Sequence, residues 1–467
     1  MINLLRKSEA FFMMRGNENS NQITEGVIWK QLLLFFFPIV FGTFFQQLYN
    51  TIDTVIVGHF VGKEALACVG GSTAQIVALI VGFFTGLCSG SAVVIAQFFG
   101  AGDRRTVQDS LHTAYAFSII GSALIGIPGY IFTPQMLTLM RTPVELMPDS
   151  LLYMRIYFIG IIFVFVYNMG ASILRAVGDS KHPLYYLIWC CVINIILDVV
   201  FVVVFKMGVA GVAIATVISQ AVSAVLVTWK LMKADEIVRL SFHKMKLHAG
   251  TLKLQLRIGI PTGIQSIMYS ITNVIIQAAI NNFGTDTVAA WAVYGKLDAI
   301  FWMVSSAFGI AITTFVGQNY GAGKKARVLK STRVALGMDF IISAGLVLFL
   351  IFFRVFLFSL FTTDAAVIQI GADMLMFITP WYIVFIFIEI LSGSLRGIGD
   401  VIIPLIITMM GVCVLRVVWI VAALVWNPTI EMIIFSYPVT WLLTAVAFII
   451  YYFIRTKSLR KAVKEEA

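Results

Sequence analysis

Charge is scarce in this sequence. Asp, Glu, Lys and Arg together make up 12% of the 467 residues, about half the share usual in a soluble globular chain, and that shortage excludes a water-soluble fold. Segments alternating apolar and polar residues are missing too, which excludes a transmembrane β-barrel. Cysteines number only five, Cys68, Cys88, Cys190, Cys191 and Cys413, all in or beside apolar runs. Their spacing supports neither a disulfide framework nor a metal site, so they read as small hydrophobes in helix packing. A cleavable signal is lacking, because Arg6, Lys7, Glu9, Arg15, Glu18 and Glu25 interrupt Met1 to Trp29. That stretch reads as a cytosolic arm with an amphipathic segment around Phe11 to Met14. A phosphate loop is lacking as well: Gly321-Ala-Gly323-Lys324-Lys325 has Gln318 where the upstream Gly is required, and no Ser or Thr follows Lys324.

What is present is apolar sequence in long runs. Hydrophobic residues make up 60% of the chain and the mean hydropathy is +0.95. Runs of about 20 residues suit helices crossing a hydrocarbon core of about 30 Å. Twelve fall near 32–58, 69–97, 110–132, 148–173, 184–205, 209–229, 258–281, 289–317, 333–357, 368–394, 402–425 and 430–454. The fold class is therefore an all-α polytopic membrane protein. With the N-terminus inside, 26 Lys and Arg lie in inside segments and five (Lys63, Arg141, Arg155, Lys206, Arg354) outside, with Lys296 and Arg416 within spans. This bias places both termini in the cytosol. The net charge of +10 is then topological, and nucleic acid is not a partner.

The chain also repeats itself. Gln97-Phe-Phe-Gly100-Ala-Gly102 matches Gln318-Asn-Tyr-Gly321-Ala-Gly323 at a shift of 221, and Leu174-Arg175, Gly178-Asp179 and Pro183 match Leu395-Arg396, Gly399-Asp400 and Pro404 at the same shift. Two six-helix halves of equal orientation imply a pseudo-twofold axis along the membrane normal and a central cleft. The organisation expected is a cytosolic arm (1–31), an N-terminal lobe (32–230), a cytosolic linker (231–256), a C-terminal lobe (257–454) and a cytosolic tail (455–467).

One acid stands out before any comparison. Asp198 sits in the apolar run Tyr185 to Phe205, with Asn194 four residues earlier on the same helix face. An aspartate at the centre of a membrane helix costs about 2.5 to 3.5 kcal/mol, so it normally faces a bundle interior or aqueous cavity and has a function.

From Trp29 to Phe453 the chain resembles the multidrug and toxic compound extrusion family. The resemblance rests on Asn50-Thr-Ile-Asp53-Thr-Val-Ile-Val-Gly58-His59, the two Gln-x-x-Gly-Ala-Gly loops, the two Leu-Arg-x-x-Gly-Asp loops and Gly208-Val-Ala-Gly211-Val-Ala-Ile-Ala-Thr216. Gly100-Ala-Gly102-Asp103-Arg104-Arg105 lacks the further Gly and spacing of the major facilitator loop. The resemblance implies a twelve-helix exporter with cation-coupled efflux of amphipathic, often cationic compounds, no ATP hydrolysis and no organic cofactor. It further implies a monomer in a bacterial plasma membrane. The pattern of the DNA-damage-inducible branch maps onto Asp53, Asn194, Asp198 and Thr216, with Tyr153 and Asn168 beside them. Another branch uses acids in the seventh and eighth spans, and here the seventh offers only Gln265, Asn273 and Gln277.

At 1.5 Å per residue, Asp53, Asp198 and Thr216 come to a common depth of about 10 Å from the outer ends of their spans. Tyr153 fits that level, whereas Asn168 falls nearer the cytosol. The coupling ion is H⁺ or Na⁺, the latter held by the oxygens of Asp53 and Asp198 with Asn194 and Thr216. Pro38 interrupts the helix that carries Asp53 and reads as a conformational hinge or a static kink. In the C-terminal lobe, Glu389 and Arg416 are placed to pair, or Asp298 and Glu389 line a cleft for cationic drugs with Tyr294, Met303, Met268, Phe301 and Trp302. The competing function is a flippase of lipid-linked sugars, which would need several cavity cations where this chain has Lys296 and Arg416.

Overall fold

In hydrocarbon every backbone N–H and C=O must be satisfied within its own segment, so each apolar run is forced into a helix. The computed structural model describes residues 22–465; the amphipathic segment expected around Phe11 to Met14 lies outside the described residues. The twelve spans are α1 (Ile28–Phe60), α2 (Lys63–Gly100), α3 (Arg104–Leu139), α4 (Val144–Ala176), α5 (Lys181–Val204), α6 (Gly208–Met232), α7 (Ala249–Phe283), α8 (Thr285–Gly321), α9 (Lys325–Ser359), α10 (Ala365–Gly397), α11 (Ile402–Trp426) and α12 (Ile430–Arg455). A short basic helix, α13 (Lys457–Glu465), follows. Most spans extend beyond the apolar runs that predict them, because polar flanks stay helical where the chain leaves the hydrocarbon. Helix α7 thus begins at Ala249, inside the segment 231–256.

Each half closes around its own aromatic core. Phe84, Tyr115, Phe158 and Phe165 fill the first lobe, and Phe301, Tyr382, Phe385 and Trp441 the second. Helix α1 belongs to the first lobe by sequence but sends Leu32, Phe35, Phe36 and Ile39 into the second lobe's core, where Phe36 stacks on Phe308 at 4.1 Å. The opposite crossing, α2 on α7, uses glycines instead. A Cβ on Gly86 would overlap the Gly263 backbone and one on Gly90 would overlap Gly259. Lipid tails give apolar helices no hydrophobic reason to associate, so such backbone contact supplies the packing energy.

The lobes meet at the end of the molecule that carries the basic loops, and the repeated motifs explain how. Gln97 Nε2 donates to the Gly397 carbonyl at 2.7 Å, and Gln318 Nε2 donates to the Ala176 carbonyl at 2.7 Å. Both donors and both acceptors differ by 221, so the two bonds are one contact written twice. The first glycine of each motif lies in this seam: Cβ atoms on Gly100 and Gly321 would overlap the backbone of Gln318 and Gln97. The second, Gly102 or Gly323, ends its helix with φ of 72° or 71°, a conformation that favours glycine.

A strap breaks this symmetry. Residues 23–26 lie across the second lobe's turn, where Asn319 donates to Ile23 O, Lys324 to Thr24 O, and Arg327 to the carbonyls of Ile23, Glu25 and Gly26. At the same shift the first lobe has Phe98, Asp103 and Thr106, where Asp103 instead caps α3 by accepting from Thr106 N at 3.1 Å. Arg327→Ala is therefore expected to speed amide hydrogen exchange across residues 22–27 while leaving the α2–α7 crossing protected.

Candidate functional site

Four helices of the first lobe each present two polar side chains one turn apart toward a common interior. Helix α1 gives Tyr49 and Asp53, α4 gives Tyr153 and Tyr157, α5 gives Asn194 and Asp198, and α6 gives Thr216 and Gln220. The i, i+4 spacing stacks them in two tiers. In the outer tier the carboxyls of Asp53 and Asp198 face each other, with the Thr216 hydroxyl beside Asp53 and the Tyr153 ring beside both acids. In the inner tier Gln220 Nε2 donates to Tyr49 OH at 3.4 Å, and Tyr157 and Cys190 neighbour Tyr49. Asp53 is 7% exposed, and Asn194 and Asp198 are 0% exposed.

Hydrogen-bond donors are scarce in this cluster. Among the described residues, both oxygens of Asp198, Oδ1 of Asp53, both amide atoms of Asn194 and the Gln220 carbonyl oxygen lack a hydrogen-bond partner, and no Lys, Arg or His faces either acid. Buried polar atoms are nearly always satisfied, and an unpaired buried carboxylate is costly. The residues present fit one small cation: a proton shared by the carboxyls, or a hard ion on an all-oxygen set of carboxylate, amide and hydroxyl. Directly after Asp198 the helix widens into a π-helical stretch, Val199–Val204, a form common at functional sites.

Sequence reasoning brings Asp53, Asn194, Asp198, Thr216 and Tyr153 to this interior; the structure sets Asp53, Asp198, Thr216 and Tyr153 beside one another, with Asn194 buried one turn inward of Asp198. Asn168 does not join them: it lies about three turns beyond Tyr157 on α4 and its amide donates to Val164 O at 2.8 Å, whereas Thr216, which donates to Val212 O at 3.0 Å, stays beside Asp53. Tyr49, Tyr157 and Gln220 escape notice in the sequence, although each lies four residues from a residue already singled out, and that spacing is the signal that finds them.

Pro38 lies within the continuous helix α1, and Pro261 holds a related position in α7 at a shift of 223. Their surroundings differ. Pro261 sits between Gly259 and Gly263, which lock onto α2, whereas Pro38 is half-buried beside the Phe36–Phe308 stack.

The second lobe corrects several expectations. Asp298 is not a free cleft acid: it accepts from Trp302 Nε1 at 2.7 Å, from Tyr382 OH and from Tyr294 OH at 3.5 Å. Tyr294 is 2% exposed and Phe301 0% exposed, so both belong to the core, with Phe301 stacked on Tyr382 at 3.9 Å. The expected Glu389–Arg416 pair does not form. Arg416 donates to Thr440 Oγ1 at 2.8 and 3.3 Å and lies over the Tyr437 ring at 4.1 Å. Glu389 packs its carboxyl against Gly309, where a Cβ would collide with it, near Asp339, which accepts from Ser343 at 2.9 Å. Met268 and Met303 are half-buried. The Asp298 carboxylate is thus supplied with donors and the first-lobe acids are starved of them.

Among the described residues, no group of three His, Cys, Asp or Glu side chains forms a metal cluster, and the five cysteines are buried and free.

Comparison with known proteins agrees with the duplicated architecture. The MatE family pattern matches residues 38–200 and again 261–422, once in each lobe. The chain is 31% identical over 396 residues to the probable multidrug resistance protein YoeA of Bacillus subtilis, covering 82% of this chain and 84% of that one. It is 29% identical to the probable multidrug resistance protein YpnP of the same organism, covering 84% and 88%. A solved transporter of the MOP superfamily from Pyrococcus furiosus superposes with a TM-score of 0.88 over 95% of this chain and 99% of that one, at 22% identity, which bears on the fold alone. The twelve helices, the two matched repeats and these relatives make the chain a multi-pass membrane transporter of the MatE multidrug efflux family.

Proposed function

We propose that this chain exports amphipathic, often cationic compounds by alternating access, in antiport with H⁺ or Na⁺ bound at the Asp53–Asp198 cluster. The observation that carries the reading is the pair of buried carboxyls with no basic partner and too few donors. A cation shifts a conformational equilibrium only through different affinity in the two states. The cluster supplies that difference if one state holds the carboxyls together around the cation and the other parts them. Tyr153 and Thr216 belong to the same set. The positive charge bias supports a cytosolic placement of the basic end and of both termini, in a bacterial plasma membrane, with the chain acting as a monomer.

Drug efflux from proteoliposomes under an imposed pH or Na⁺ gradient tests the reading and identifies the ion. Export driven by neither gradient overturns it. Membrane cations weigh against a lipid-linked sugar flippase, since Arg416 is tied to Thr440 and two rings, which leaves Lys296, exposed on α8, where a pyrophosphate would need several cations.

Pro38 joins the proposal as the hinge of α1. The glycine lock holds α7 against α2 backbone to backbone, while the corresponding part of α1 packs through side chains, Phe36 against Phe308. Pro38→Ala is expected to lower coupled efflux without changing expression or membrane insertion; unchanged efflux and coupling in that variant remove the switching role.

A further inference from the structure

A cavity of about 450 Å³ opens on the flank of the second lobe at its basic end, between α9, α10, α12 and α13. Its wall is apolar, with Leu336, Phe387, Ile449 and Phe453, and it carries two cations, Arg333 and Arg460. We propose that this groove binds one anionic phospholipid, its acyl chain against the apolar wall and its phosphate on the two guanidinium groups.

Four observations carry the assignment. First, neither arginine is neutralised by a neighbouring acid. Asp400 pairs with Arg455 at 2.7 Å and Glu465 with Lys461 at 3.7 Å, and neither Arg333 nor Arg460 forms an ion pair among the described residues. Second, Arg460 is held in place: its guanidinium lies 4.0 Å from the Phe453 ring centre and donates to Thr456 Oγ1 at 3.0 Å, which spends one donor and leaves others for an anion. Third, Arg333 lies eight residues into α9, where the apolar run 333–357 begins. Fourth, the groove faces sideways: its lining residue Phe453 is 55% exposed and the next residue, Ile454, 65% exposed, so the surrounding solvent there is lipid. Helix α13 completes the site. Leu459 packs against the lobe's core, while Lys457, Lys461 and Lys464 point outward where they attract an anionic surface. A basic pocket between helices at an interface is the form that recognises an anionic headgroup.

The test compares the full-length chain in nanodiscs of phosphatidylcholine alone and of phosphatidylcholine mixed with phosphatidylglycerol, reading thermal unfolding and the lipid retained in native mass spectra. The wild-type chain is expected to unfold at higher temperature with phosphatidylglycerol and to retain it preferentially. A cation near an anionic leaflet contributes about fivefold to affinity, so Arg333→Gln with Arg460→Gln should lower retention about 25-fold. Arg354→Gln, at the other end of α9, should leave it unchanged. Should the double variant fold poorly, Ile449→Trp fills the groove and keeps both cations, and is expected to lose retention too. Equal stabilisation by both lipid mixtures, retention that survives the double variant or the groove-filling variant, or an equal shift from inorganic phosphate in detergent each overturns the proposal.

Discussion

Asp198→Asn is expected to abolish gradient-driven efflux while leaving the protein inserted and at least as resistant to thermal unfolding as the parent. The asymmetry follows from the site. Among the described residues no protein group donates to the Asp198 carboxyl, which faces that of Asp53, so the substitution leaves an amide in contact with Asp53 and takes away a group that is costly to bury charged. What it removes is the ability of the pair to gain or lose a unit of positive charge. Reversing a two-state equilibrium from 1:99 to 99:1 takes about a 10⁴-fold difference in ligand affinity between the states. An amide facing one remaining carboxyl has no comparable means of discriminating them. Asp53→Asn should behave alike, and the two together should do no more harm than either, since both act through one cation. Efflux in proteoliposomes and thermal unfolding of the same preparations read the two effects separately. Full coupled efflux by Asp198→Asn would sink the assignment, and a collapse in stability would make the cluster structural.

The second large effect concerns the seam between the lobes. Gly100→Val and Gly321→Val each place a branched side chain where the opposite Gln-x-x-Gly turn has backbone, and backbone does not give way as a flexible side chain does. Closure of the basic end is expected to fail in either variant, because the contact is duplicated by the pseudo-twofold axis. Spin labels on Asp103 and Lys324, one on each lobe's turn, should report a longer distance than in the parent, and efflux should be lost. Gly82→Ala, where the nearest atom to the new Cβ is Ser266 Cβ at 3.6 Å, meets ordinary van der Waals contact and should transport normally. Parental distances and efflux in Gly100→Val would show that the seam is not required to close.

Glycine at these positions also shows what a repeat can and cannot tell. The spacing of Gln97 and Gln318 marks a duplicated motif, but nothing in either copy says that its glutamine reaches across to the other lobe. That contact pairs residues 300 and 142 positions apart and exists only once both lobes are assembled. The strap is the same kind of fact: Asn319, Lys324 and Arg327 look like a basic loop until the chain's own residues 23–26 are seen lying on it.

Composition and periodicity by themselves determined the twelve helices and their approximate bounds, because the bilayer leaves a long apolar run no alternative to a helix, and the internal repeat determined the two-lobe plan. The cost of a buried acid likewise marked Asp198, with Asn194 one turn away on its helix face, and family resemblance with depth counting brought Asp53, Thr216 and Tyr153 to its level. Tertiary structure decided which acids have donors. Asp298 and Asp198 are both aspartates in apolar helices, yet one is met by Trp302 and Tyr382 and the other by a second carboxyl. It decided against the Glu389–Arg416 pair as well, since Thr440 and two aromatic rings claim the guanidinium first. Helical spacing fixes what one helix presents on a face, but the partner that meets it comes from a different helix, and only packing chooses that.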